Sequence, residues 1–288
     1  MNYFFKLNKY NKNVYSQTGE DGIIEYLIKT SKETIYSNSV EFGGHDGVTN
    51  SNTYNLYINH NFNSLIIEAD KSRFDLSADN YFDKSRFNAI NKFINIKGKD
   101  SIDDILESNN LFNKQEIGVM SIDIDSTDYH VFKNLNCKPQ IIIIEFNNAI
   151  PGYIEYNDPE EEVYLRCSAK AIQNLGFIKG YKTVCCTVLN CILIKDNCFN
   201  PRYHPDLPVE FLLDYDGMHK TNDLLFTIIH SQMYTTYPIS TKPLNNLDKF
   251  YFKFSRFLMS ALKIRKEKFI KPSELIKKKL EESKLFIN

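Results

Sequence analysis

Acidic residues close a series of short apolar runs in this sequence. Glu41 precedes Gly43 and Gly44 in "SVEFGG", Glu68 and Asp70 close "SLIIEAD", Asp123 and Asp125 sit in "SIDID", and Glu145 and Asn147 in "IIIIEFN". In open α/β sheets ligands lie beyond the carboxyl ends of the strands, so these are the side chains placed to do chemistry. Acids gathered on one rim repel one another unless a cation, a ligand hydroxyl or a bound proton offsets them. A purely structural explanation of the set is therefore strained.

The segment "VEFGGHDGVTNSNT" holds three glycines in five positions, Gly43, Gly44 and Gly47, with His45 and Asp46 between them. Alone it is either a tight turn needing positive φ or a cradle for a nucleotide. It is neither G-x-G-x-x-G leading into a helix nor G-x-x-x-x-G-K-[ST]. With acids around it and no Lys or Arg within it, the segment suits a nucleoside without phosphates. Glu68 ends the next run, where a carboxylate can accept both hydroxyls of a ribose.

The elements that must position these residues follow from periodicity. "YSQTGEDGIIEYLIKTS" predicts a helix, with Thr18 to Asp21 as a capping box and Ile23, Ile24, Leu27 and Ile28 on one face. Strands are expected at 39–43, 64–69, 89–95, 118–124 and 140–146, with helices at 71–80, 101–109 and 127–135 between them. That alternation predicts a parallel sheet covered on both faces. "YKTVCCTV" and "NCILIKD" are too close together for a crossover, so they predict an antiparallel hairpin that finishes the sheet.

The motifs "VEFGGHDG", "SLIIEAD", "SIDIDSTDY" and "IIIIEFN", in this order, resemble the class I S-adenosylmethionine-dependent methyltransferases, and most of all the FkbM-type group. "YSQTGEDGII" and "CSAKAIQNLGFIKGYKTV" extend the resemblance over residues 15 to 195. It departs from the pattern where Ser126 follows "SIDID" in place of the usual Gly. The resemblance implies a Rossmann-like sheet of seven strands, the last antiparallel. It implies S-adenosyl-L-methionine as cofactor. Glu41 and Gly43 to Gly47, with His45 and Asp46, would face its methionine part, and Glu68 the ribose. Asp70 or Phe93 would lie on the adenine side, with Gln17, Asn52, Ala69 and Asp123 as further contacts.

Methyl transfer needs donor and acceptor held in line and help for the acceptor in losing its proton. Asp123, Asp125, Glu145 and Asn147 are the candidates for that help. The related catechol-type enzymes bind magnesium at this end of the sheet. Asp125, Glu145 and Asn147 would imitate that all-oxygen set, although Glu145-x-Asn147 is not the adjacent pair found there. A carboxylate acting as base without metal is the other option. His45, His130, His204, His219 and His230 are alternative bases.

Net charge is −1 over 288 residues, but residues 251 to 288 hold eleven Lys or Arg against four Glu, leaving −8 on the rest. An acidic body argues against nucleic acid as partner. Residues 1 to 200 are expected to form the cofactor-binding core, 201 to 250 the loops and helices of the substrate pocket, and 251 to 288 a basic amphipathic helical tail. That tail is a solvated face, a self-association or partner helix, or a peripheral membrane contact. Six cysteines without metal spacing, no apolar leader and no long apolar run predict a cytoplasmic protein with reduced thiols and no membrane span. The resemblance implies O-methylation of a small molecule, with a sugar or a cell-surface glycan precursor such as a capsule component as the expected acceptor. The rival is a catalytically silent scaffold that docks on a membrane or enzyme through the tail.

Overall fold

In this computed structural model the described residues are 5–214, apart from 149, 151, 162 and 164. The tail at 251–288, most of the expected pocket segment at 201–250, and both His219 and His230 lie outside them.

After a 3-10 turn at Leu7–Tyr10 the chain forms helix α1 (Glu20–Thr30) and strand β1 (Asn38–Phe42). Next come α2 (Tyr54–Asn59), β2 (Asn63–Glu68), α3 (Lys71–Asn80) and β3 (Phe87–Asn91). Then follow α4 (Ile102–Ser108), β4 (Val119–Ile122), α5 (Asp128–Asn134) and β5 (Ile141–Glu145). A long loop leads to α6 (Ala169–Ile178), the hairpin β6 (Tyr181–Cys186) and β7 (Asn190–Lys195), and the short α7 (Val209–Leu212).

The seven strands lie in the order β3-β2-β1-β4-β5-β7-β6. The first five are parallel, with Val40 opposite Leu65 and Met120, and Met120 opposite Ile142. β7 alone runs against its neighbours, between β5 (Ile141 opposite Ile194) and β6 (Tyr181 opposite Lys195). This is the Rossmann-like sheet of seven strands, with the last reversed, that the sequence led us to expect. The order reverses its direction at β1, where β2 and β4 part, and such a switch point opens a crevice at the carboxyl ends.

Helices cover both faces, which is why "IIII" of β5 is apolar throughout rather than alternating. Ile142 and Ile144 pack with α4, α5 and α6 through Ile105, Phe132 and Ile172. Ile141 and Ile143 pack on the other face with Ile23, Ile24 and Leu27 of α1. An aromatic group of Tyr54, Tyr57, Tyr81 and Phe87 completes that side beside Ile66.

Two expectations are corrected. The capping box at Thr18 does not form, because the N-cap of α1 is Gly19 at φ 104° with no side-chain cap. Asp21 instead accepts the amides of Val14, Tyr15 and Ser16 at 2.8 Å each, tying the incoming loop to the helix. The third strand ends at Asn91 rather than 95, since its partner β2 ends at Glu68 and turns away into α3. Lys92 and Phe93 thereby leave the sheet beside the crevice. Among the described residues no helix is long and apolar enough to cross a membrane. All six cysteines are buried and free.

Candidate active site

A cavity of about 350 Å³ opens at the switch point, bounded by the ends of β1, β2, β4 and β5. Its first wall is the glycine turn. Gly43 has φ 72°, and a Cβ there would lie 1.6 Å from the Asp123 carbonyl oxygen. Only glycine lets the end of β1 pass so close to the end of β4. Gly44 and His45 line the cavity next, His45 with φ 51° and a half-exposed ring.

Both carboxylates of this wall are buried and locally satisfied. Glu41 accepts from Ser51 Oγ at 2.5 Å, the Asn52 amide at 2.8 Å and Thr53 Oγ1 at 2.8 Å, so it shapes the loop after the turn. Burial pushes its pKa up against the pull of those three donors. Glu68 accepts the His45 amide at 2.9 Å and the Asp70 amide at 2.8 Å, one on each oxygen. Each oxygen keeps a second lone pair for a ligand. Phe93, 73% exposed, stands at the same end with Ala69.

The opposite wall carries Asp123 and Asp125 after β4 and Glu145 at the end of β5. Burial, and then the neighbouring carboxylates of Asp128 and Asp125, push Asp123 up to about 7. The turn after β4 does without glycine: Asp125 itself takes φ 57°, a conformation Asp tolerates, and buried Asp128 accepts the Ile124 and Ser126 amides. The departure at Ser126 is thus absorbed one residue earlier.

A residue the sequence did not single out completes this wall. Arg166, from the loop before α6, places Nη1 3.1 Å from Asp125 Oδ1 and in direct contact with Glu145 Oε2. It adopts φ 63°, and its amide donates to buried Asp158. His45, Asn50, Asp125 and Arg166 are all non-glycine residues at positive φ around one cavity, which fits the tendency of strained backbone to gather at functional sites.

Of the expected site residues, Gln17, Glu41, Gly43, Gly44, His45 and Asn52 come together at the cavity. Glu68, Ala69, Phe93, Asp123, Asp125 and Glu145 join them. Four do not line it. Asp46 accepts from Val48, Thr49 and Thr49 Oγ1 to close its own turn. Gly47, at φ 76°, backs onto the Tyr81 ring. Asp70 caps α3 through the Ser72 and Arg73 amides. Asn147 is buried and donates to the Leu165 carbonyl at 3.0 Å. The expected magnesium set of Asp125, Glu145 and Asn147 therefore does not fit: Asn147 does not line the cavity, and a guanidinium stands on the two carboxylates. His130 and His204 also lie elsewhere, His130 on the Asp158 carbonyl and His204 held neutral by burial, which lowers it to about 4.

The glycine segment lacks basic residues, yet Arg73 and Lys92 reach the cavity from α3 and the end of β3. Lys92 is paired with Asp100.

No known protein family matches the sequence, and no curated protein does. Solved structures similar in shape include the CMeT domain of the citrinin polyketide synthase, at 14% identity and TM-score 0.40 over 64% of this chain. The chain spans 55% of that domain. A SAM-dependent methyltransferase from Aquifex aeolicus is similar at 10% identity and TM-score 0.38, over 66% of this chain and 97% of that one. Another from Methanosarcina mazei is similar at 13% identity and TM-score 0.30, over 55% and 92%. The architecture described above stands on its own strand order.

Proposed function

We propose that the protein is an S-adenosyl-L-methionine-dependent O-methyltransferase acting on a hydroxyl of a small polar molecule, a sugar or glycan precursor best fitting the cavity. The observation that carries this reading is the cavity at the switch point, with a glycine turn and Glu68 on one wall and Asp123 on the other. The residues suit the cofactor: Gly43 and Gly44 leave room beside the backbone, Glu68 has free lone pairs for ribose hydroxyls, and Phe93 offers a face for a base. Acids throughout suit a cation. Polar side chains on the lining, Thr49, Asn50, Ser51 and Asn190, favour a hydroxylated acceptor.

When bound, the cofactor supplies a methyl group already activated by its positive sulfur. Asp123 would take the proton of the acceptor hydroxyl and so make its oxygen the nucleophile for that methyl group. A base near pKa 7 is half ionised at neutral pH, which suits that task. The walls of the crevice hold the two partners in line and away from water. Isothermal titration with S-adenosylhomocysteine tests the reading: saturable binding by the parent chain, weakened in Glu68→Ala, is expected. No heat with a well-folded sample would end it. Arg73 favours a second reading, a nucleoside carrying a phosphate, and tighter binding of adenosine monophosphate than of S-adenosylhomocysteine would select it.

A further inference from the structure

Three carboxylates, those of Asp123, Asp125 and Glu145, bring oxygens within 4.8 Å of one another at the acceptor end of the cavity. Such a set attracts a divalent cation or must be offset by the protein itself. We propose that Arg166 is the resident cation of this wall and keeps a divalent metal out of it. One nitrogen, Nη1, serves both Asp125 and Glu145, bridging them where an ion would sit. A guanidinium brings a full positive charge and a fork of donors that matches carboxylates.

The loop is built to deliver it. Asp158, buried, accepts the Leu165 amide at 2.8 Å and the Arg166 amide at 2.5 Å, and its own amide donates to the Arg166 carbonyl at 2.8 Å. Tyr156 donates to the other oxygen of Asp158 at 2.7 Å, and His130 contacts the Asp158 carbonyl at 2.7 Å. These bonds fix the backbone of residue 166 whatever its side chain. Asn147, away from the cavity lining, donates its Nδ2 to the Leu165 carbonyl of the same loop. The loop thus covers two of the expected carboxylate ligands with a guanidinium. The inference stands apart from the choice of cofactor, because it concerns only these charges.

Titration of Mn²⁺ into the full chain, followed by electron paramagnetic resonance, tests it. The parent and Arg166→Lys should show only weak, unsaturated binding. Arg166→Gln, which frees the carboxylates, should take up one ion at least about tenfold more tightly, a gain of about 1.4 kcal/mol. Thermal melting confirms that the variant is folded. One tight equivalent on the parent, lost in Asp125→Asn, overturns the proposal even if Arg166→Gln fails to fold. Equal Mn²⁺ affinity of folded Arg166→Gln and the parent overturns it as well.

Discussion

The two walls of the cavity solve one problem in different ways. Both carry buried or half-buried acids at strand ends. On the β1–β2 wall, Glu41 and Glu68 are satisfied by neutral amides and hydroxyls, those of Ser51 to Thr53, His45 and Asp70. On the β4–β5 wall the offset comes from a full charge, Arg166, delivered 41 positions after Asp125 and 21 after Glu145. Neutral donors leave the first wall rigid and its charge available to a cationic ligand. The second wall keeps one acid, Asp123, poised near neutrality beside a fixed cation.

The sharpest break in this comparison is Asp123→Asn. Its expected effect is a fall in turnover of about 10² to 10⁴, the usual worth of a general base. With Asp123 as the proposed base, the rate in the parent should climb as pH rises through about 7, because only the carboxylate form can take the proton. The residual rate of the variant should lack that climb, which a pH profile from 5.5 to 9 reads directly as roughly a flat line.

Gly43→Ala attacks the contact that joins the walls. A methyl group aimed at the Asp123 carbonyl, on a residue at positive φ, should cost about 3 kcal/mol of folding stability or more, measured by urea unfolding. A cost under about 1 kcal/mol would mean that β1 and β4 can part freely there.

Glu68→Ala isolates the first wall. Loss of a carboxylate that orders the turn and, on the proposed reading, would face the ligand should weaken nucleoside binding roughly 10- to 100-fold, with the Asp123 pH profile unchanged. Equal damage to both would show that the walls do not act separately.

The smallest effect is expected from Asp125→Gly. It relieves a positive φ but gives up an exposed contact with Arg166, so stability should change by no more than about 1 kcal/mol. Thermal melts of the single variant and of Asp125→Gly combined with Arg166→Gln measure the coupling.

The first wall was legible in the sequence because its motifs carry their chemistry on their face. A short apolar strand, three glycines and an acid at the next strand end carry both the geometry and the charge within about thirty residues. The parallel sheet was legible too, since parallel strands buried on both faces read as unbroken apolar runs such as Ile141 to Ile144. The second wall was legible only as a list of acids. Arg166 lies in a loop without periodicity, and nothing in "YLRCSAK" points to residues 125 and 145. Its one local signal is buried Asp158, whose bonds to the amides of Leu165 and Arg166 exist only once the loop is folded. Asp46 and Asp70 misled for the opposite reason: both satisfy turns and helix caps, tasks that acids beside glycines perform as readily as ligand binding.

The central claim is that the nucleoside lies across the switch point between the two walls. A crystal structure with S-adenosylhomocysteine measures this directly. The account predicts ribose hydroxyls within hydrogen-bond distance of Glu68, the base against Phe93, and the thioether facing the side of Asp123 and Arg166. Ligand density outside this cavity, or a ribose turned away from Glu68, would contradict it.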